Sequence, residues 1–151
     1  MKTEQIPTAG IVYTRRVGDY GQENIRIMEQ MKQWAGERGL MNDDAVVYAI
    51  AWDDPSVTES TECRYDVCLL TEHDPFEETE DIKTGKLMGG LYAVLETEHT
   101  PKGMQDAWDD VFGMIRSGRM TMDASRPIME RYAAEMVRNH RCELCVPIVS
   151  S

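Results

Sequence analysis

The 151-residue chain contains no apolar run that approaches the roughly 18 residues of a membrane-spanning helix. Its first residues, MKTEQIPTAG, also lack the basic-then-apolar pattern of a secretory signal peptide. From these two absences we predict a cytoplasmic protein with no membrane partner.

Basic residues are scarce, with 16 Lys and Arg against 27 Asp and Glu and a formal net charge of −11. Proteins bind nucleic acids through clusters of Lys and Arg that displace counterions from phosphates. The charge balance therefore argues against direct nucleic-acid binding and leaves cationic or apolar small ligands open. Residues 72–81 contain six acids and no base, and we interpret them as a solvated link between two halves of the chain.

The familiar catalytic motifs are also missing. The sequence has no His-Glu-x-x-His, Gly-x-Ser-x-Gly, Walker or Gly-x-Gly-x-x-Gly motif, and its three histidines are isolated. The four cysteines, Cys63, Cys68, Cys142 and Cys145, lie in strand-like runs, where odd spacing places the members of each pair on opposite faces. We therefore expect buried thiols and no metal or cofactor.

A pattern of strand, helix, strand and strand occurs twice. The predicted elements are strands at 9–17, 45–52, 62–71, 86–97, 126–135 and 141–149, with helices at 23–39 and from Pro101 to Gly118. Thr100 and Pro101 have the residue types preferred at a helix N-terminus. The order predicts one domain over residues 1–151, with repeated halves of about 1–82 and 83–151.

Each predicted helix carries a single apolar stripe, so each should cover one face of its strands. We predict an α+β fold in which duplicated βαββ modules form an antiparallel sheet with two helices on one face. A ligand cleft is expected on the other face. Trp52 and Tyr132, and likewise Asp66 and Glu143, are taken as equivalent positions in the two halves.

The candidate ligand-binding residues combine carboxylates with aromatic and apolar side chains. Alternation along the strand places Glu130 and Tyr132 on one face, and we group with them Tyr13, Ile50, Trp52, Tyr92 and Glu143. Aromatic ring faces attract cations, and a carboxylate supplies a charge partner. The alternative from pattern alone is that Glu130 lies on a solvated strand face.

Several segments resemble the GyrI-like small-molecule-binding family, which includes AraC/Rob-type effector-binding domains. They are VYTRRVGDYG, ENIRIMEQMKQWAGERGL, AWDDPSVT, CRYDVCLL, RPIMERY and CELCVPI. The resemblance implies a duplicated βαββ fold with an aromatic cleft and places Glu130, with Tyr132 nearby, in the ligand pocket. The sequence has no helix-turn-helix segment, so we expect any role in transcription regulation to proceed without a DNA-binding domain of its own.

These observations lead to three hypotheses about function. The first is a stand-alone protein that binds amphipathic or cationic small molecules, including drug-like ones. The second is a hydrolase of reactive, cyclopropane-type natural products in which Glu130 is the base and Tyr132 its catalytic partner. The third, implied by the family resemblance, is an inhibitor of DNA gyrase, a protein partner whose basic surface an acidic chain would complement.

Overall fold

The computed structural model describes residues 1–71 and 78–149, and most of the acidic link at 72–81 therefore lies outside the described residues. The strands are β1 (Lys2–Ile6), β2 (Ala9–Val17), β3 (Val46–Ala51), β4 (Arg64–Leu70), β5 (Lys83–Leu87), β6 (Gly90–Glu98), β7 (Met129–Ala133) and β8 (Arg141–Pro147). The helices are α1 (Gln22–Glu37), α2 (Pro101–Arg116) and the short α3 (Ala134–Arg138), with a 3₁₀ turn at Ser60–Glu62.

The eight strands form one antiparallel sheet in the order β1-β6-β8-β7-β3-β4-β2-β5. The predicted α+β class and the antiparallel sheet are confirmed. The predicted start of α2 is also confirmed, because Thr100 Oγ1 accepts a hydrogen bond from the Gly103 amide at 3.0 Å and Pro101 follows it.

Two details of the predicted strands are wrong. Strand β1 was not predicted, and the strand expected at 86–97 is two strands, β5 and β6. β1 pairs with β6, and β5 pairs with β2. The first strand of each half therefore pairs with a strand of the other half. The links that follow these two strands pass close together: a Cβ on Gly89 would lie 2.3 Å from the Thr8 amide nitrogen.

The strand predicted at 126–135 is shorter than expected. The strand ends at Ala133 and α3 begins at Ala134, whose amide donates to the Ala45 carbonyl at 2.9 Å. The first three residues of α3, Ala134 to Met136, are all strong helix formers, which explains why the chain leaves the sheet here.

Strand register separates the two faces of the sheet, because directly paired residues point to the same side. One row runs from Val67 through Ala49 and Glu130 to Leu144. Its apolar members belong to the cores that contain the buried residues of α1 at one end and α2 at the other. Both long helices therefore lie on this face, as predicted, and we call it the helix face.

The opposite face carries a third apolar core, drawn from strands of both halves. It includes Ile11, Tyr48, Tyr92, Met129 and Cys145, all of which are buried. The predicted burial of the four cysteines is confirmed, and all four are free thiols. Within the part of the chain that the structure describes, no helix is both long and apolar enough to cross a membrane.

Candidate functional site

A groove runs along the helix face between the two long helices, whereas the sequence predicts a ligand cleft on the opposite face. α1 packs mainly on β2 and β4, and α2 packs on β6 and β8. The central strands β3 and β7 are therefore left between the helices, and they form the floor of the groove. The small side chain of Ala49 lies directly opposite Glu130 in this floor.

The carboxylate of Glu130 is held by two aromatic donors. Trp108 Nε1 donates to Glu130 Oε2 at 2.8 Å, and the Tyr132 hydroxyl donates to Glu130 Oε1 at 2.9 Å. Trp108 comes from α2, whereas Tyr132 lies two residues along β7. The pair fixes the orientation of the carboxylate while each of its oxygens retains room for a further hydrogen bond.

Two cavities flank this carboxylate. The larger, of 460 Å³, is lined by Trp108 and Phe112 of α2 and by Tyr20, Ala51 and Trp52 on the other side. Its volume falls within the range typical of small-molecule sites.

The smaller cavity, of 250 Å³, is lined by Met28 and Lys32 of α1 together with Tyr65, His99 and Tyr132. Glu130 itself lines neither cavity, but it accepts hydrogen bonds from Trp108, which lines the larger one, and from Tyr132, which lines the smaller one. Charged side chains line both cavities as well: Asp53, Asp54 and Arg126 in the larger, and Glu29 and Lys32 in the smaller.

Burial and the charge of Glu130 act together on the tyrosines of the groove. Desolvation, followed by the nearby Glu130 carboxylate, raises the pKa of Tyr132 and that of Tyr65 well above the ordinary value. Both hydroxyls therefore remain protonated at neutral pH, and Tyr132 acts as a hydrogen-bond donor. Desolvation, with smaller contributions from Lys32 and His140, lowers the pKa of His99, whose ring centroid is 5.3 Å from that of Tyr132.

The structure divides the predicted ligand-binding residues between the two faces. Glu130 and Tyr132 lie on the helix face, whereas Ile50 belongs to the core of the opposite face and Trp52 packs against that core. Trp52 also lines the cavity of 460 Å³. The prediction that all four share one face is wrong, because the register pairs Glu130 with Ala49 rather than with Ile50. Likewise, Tyr132 and Trp52 are not equivalent.

Three further candidates also lie on the opposite face. Tyr13 lines a cavity of 190 Å³ together with Ile50 and Trp52. Tyr92 is fully buried, and its hydroxyl donates to the Met88 carbonyl at 2.6 Å. Glu143 is buried in an ion pair with Arg131.

Trp108, Phe112 and Tyr65 were not among the candidate ligand-binding residues. Trp108 and Phe112 lie in the apolar stripe of α2, and sequence spacing does not separate a residue at the edge of such a stripe from one in its centre. Tyr65 alternates with Val67 and Leu69 and so resembles a core residue. In residues 1–71 and 78–149 no group of three or more His, Cys, Asp or Glu side chains could hold a metal ion.

Comparison with known proteins identifies relatives and a solved structure with this fold. YosT of Bacillus subtilis (strain 168) derives from the SPbeta prophage and is named as a transcriptional regulator. It is 40% identical to this chain over 146 residues, which cover 96% of each chain. A DNA gyrase inhibitor of Pectobacterium carotovorum subsp. carotovorum (strain PC1) is 31% identical over 119 residues, or 78% of this chain and 76% of the inhibitor. The structure of SAV2435 bound to tetraphenylphosphonium has a TM-score of 0.59 at 14% identity and is matched over 99% of this chain and 93% of its own.

The match to a described family covers almost the whole chain. Residues 1–149 match the GyrI-like small molecule binding domain, and this range includes both long helices and the strands that form the groove floor. The chain therefore belongs to the GyrI-like family of small-molecule-binding domains.

Proposed function

We propose that the chain binds lipophilic, cationic small molecules in the groove between α1 and α2, with Glu130 as the counter-charge. The observation that carries this proposal is that the Glu130 carboxylate is hydrogen-bonded to Trp108, which lines the cavity of 460 Å³, and to Tyr132, which lines the cavity of 250 Å³. A delocalised cation can place its apolar body in these cavities while its charge stays near the carboxylate.

The walls of the groove suit such a ligand. Trp108, Tyr20 and Phe112 offer aromatic surface to the larger cavity, and Tyr132 offers it to the smaller one. The face of each ring attracts a cation by about 0.5 to 2 kcal/mol, depending on how far water is excluded. The complex of SAV2435 with tetraphenylphosphonium, a lipophilic cation, supports the proposal because that protein shares the fold.

Electrostatics gives the expected magnitude. A cation 4 Å from a carboxylate gains about 4 kcal/mol at an effective dielectric constant of 20, before the cost of desolvation. If desolvation offsets half or more of that gain, removing the charge of Glu130 should cost about 1.5 kcal/mol, or roughly tenfold in affinity.

The proposal can be tested by calorimetric titration with tetraphenylphosphonium. Glu130→Gln keeps the shape of the side chain and should bind about tenfold more weakly than the wild type. Glu96→Gln is a matched control, because it changes the net charge equally at a carboxylate that is 54% exposed and paired with Arg141, and it should bind like the wild type. Equal affinities for Glu130→Gln and the wild type would contradict the role of Glu130.

Tetraphenylborate, an anion of nearly the same shape, provides a second control. It should bind the wild type far more weakly than tetraphenylphosphonium does, and Glu130→Gln should narrow that difference. If both ions bind the wild type equally well, the groove recognises apolar surface without regard to charge.

The geometry favours this binding role over hydrolysis. The Tyr132 hydroxyl donates to Glu130 and, with its raised pKa, would have to exchange that hydrogen bond before it could protonate a substrate. The hydrolase hypothesis for this pair of residues stays a prediction.

A second candidate function, inhibition of DNA gyrase, is favoured by the 31% identity to the Pectobacterium inhibitor. The net charge of −11 complements the basic surface that an enzyme acting on DNA presents. A supercoiling assay with increasing amounts of the chain tests it. Loss of supercoiling that weakens as salt is raised is expected, and undiminished supercoiling at the highest concentration would overturn this candidate.

A further inference from the structure

A separate cavity of 450 Å³ lies on the opposite face of the sheet from the groove. The apolar side chains of Ile6, Tyr48 and Leu87 line it, and all three belong to the core of that face. Four charged side chains that also line the cavity are linked to one another by ion pairs: Lys2 and Glu4 of β1, Arg131 of β7 and Glu143 of β8. The cavity thus combines an apolar surface with a charged end, and it shares none of its lining residues with the cavities that flank Glu130.

Glu143 is the most deeply buried of these charged groups, with 4% of the residue exposed. Its Oε1 accepts a hydrogen bond from Arg131 Nε at 2.9 Å. The two terminal nitrogens of Arg131 are occupied by Glu4, at 2.8 and 3.0 Å. Among the described residues, none donates a hydrogen bond to Glu143 Oε2, although Glu143 lines the cavity.

A second cation close to that oxygen is the ammonium group of Lys2. Lys2 Nζ lies 3.9 Å from Glu143 Oε2 and 3.6 Å from Glu4 Oε1, and its side chain is 64% exposed. Both distances are too long for hydrogen bonds. An ammonium group from the chain itself therefore lies beside this position without being bound tightly to it.

We propose that this cavity is a second ligand site, which binds a primary ammonium group attached to an apolar chain. The ligand nitrogen donates to Glu143 Oε2 and to Glu4 in place of Lys2, while the apolar chain lies along Ile6 and Leu87. An ammonium group suits the position because it is compact and carries three donors, so that one nitrogen can serve both carboxylates.

The local charge balance supports a cationic ligand. Three carboxylates line the cavity, those of Glu4, Glu135 and Glu143, against the two cationic groups of Lys2 and Arg131. Arg131 is already paired with both Glu4 and Glu143. A positively charged ligand would therefore neutralise the excess negative charge of the cavity. The attraction between the two offsets part of the free energy needed to remove the ligand from water.

The test is calorimetric titration of the full chain with n-hexylammonium chloride. The wild type should show saturable binding, and n-hexanol, which has the same apolar chain without the charge, should bind at least about tenfold more weakly. Glu143→Gln should likewise lose about tenfold in affinity, because it removes the buried charge that accepts from the ammonium group. Lys2→Met removes the competing ammonium group from an exposed position and should increase affinity several-fold.

Glu130→Gln distinguishes this site from the groove. It should weaken the binding of tetraphenylphosphonium and leave the binding of n-hexylammonium unchanged, so each of the two proposals can be refuted without the other. If Glu143→Gln does not fold, Lys2→Met and the comparison with n-hexanol still decide the matter. The second site is overturned if Lys2→Met leaves the affinity unchanged, if n-hexanol binds as well as n-hexylammonium, or if Glu130→Gln abolishes binding of both cations.

Discussion

Two glycines in α2 should respond in opposite ways to the same substitution. A Cβ at Gly113 would have no atom within 4 Å apart from the helix's own neighbouring backbone. A Cβ at Gly103 would lie 2.4 Å from the backbone oxygen of Glu98 and 3.0 Å from the Glu98 Cβ. Gly103 is the point at which the first turn of α2 meets the end of β6.

These distances give the expected free energies. Replacing a helical glycine by alanine contributes about 1 kcal/mol of stability at an unobstructed position, which is the expectation for Gly113→Ala. At Gly103 an ordinary contact distance of 3.4 Å requires a displacement of about 1 Å, and the obstacle is backbone rather than a side chain that could rotate away. Such overpacking costs about 1 to 3 kcal/mol, so Gly103→Ala should be less stable than Gly113→Ala by about that amount.

The displacement should also reach the groove, because Trp108 lies on the same helix five residues after Gly103. A shift of the first turns of α2 lengthens the 2.8 Å hydrogen bond from Trp108 to Glu130. Urea unfolding monitored by circular dichroism gives the stabilities, and titration with tetraphenylphosphonium gives the affinities. Equal stabilities for the two alanine variants would refute the close packing of α2 on β6, and unchanged affinity for Gly103→Ala would refute its link to the groove.

Two other predictions concern the opposite face. Asp66 is 3% exposed and accepts two hydrogen bonds from Arg15, at 2.7 and 2.8 Å, and one from Trp52, at 2.7 Å. Asp66→Asn removes the buried charge that accepts them, so it should lower the free energy of unfolding by about 2 kcal/mol. Asp43, whose side chain is 84% exposed, is paired with Arg138, so Asp43→Asn should change the free energy of unfolding by less than about 0.5 kcal/mol. Similar losses for both variants in urea titrations would contradict this. Burial raises the pKa of the Cys145 thiol from 9.0 to about 12, so the stability that it contributes is present below pH 9 and is lost as the pH rises toward 12. The urea midpoint should therefore fall between pH 9 and pH 11, and it should fall less in Cys145→Ala. A smaller fall remains in that variant because burial also raises the pKa of the Cys142 thiol, to about 11. Equal falls in the two proteins would contradict the assignment.

The candidate site shows which features of the sequence could be used for prediction. Alternation along a strand correctly placed Glu130 and Tyr132 on one face, because side-chain direction in a strand depends only on position along it. The sequence could not tell which face of β3 joins them, since that depends on register and a slip of one residue exchanges the faces. The actual register places Ala49, rather than Ile50, beside Glu130.

Strand β1 illustrates a second limit. Its sequence KTEQI is mostly polar, and only Ile6 is buried. The strand exists because it pairs with residues 90–94 of β6, more than 80 residues away along the chain. A local pattern of hydrophobicity carries no information about such a partner, whereas the amphipathic stripe of α2 was evident from its own residues.

The two halves of the sheet differ at one pair of equivalent positions in the floor of the groove, where only one of the two residues is a carboxylate. The register pairs Ile50 with Asp66 in one half and Arg131 with Glu143 in the other, and both acids lie within an Arg-x-acid-x-Cys segment, at residues 64–68 and 141–145. Ala49 is therefore the position equivalent to Glu130, and these two residues also face each other across β3 and β7. A glutamate at both positions would place two like charges directly opposite each other in a partly buried site, where their repulsion destabilises the pair. At this pair of positions one half thus supplies a carboxylate, and the other half supplies the small side chain of an alanine opposite it.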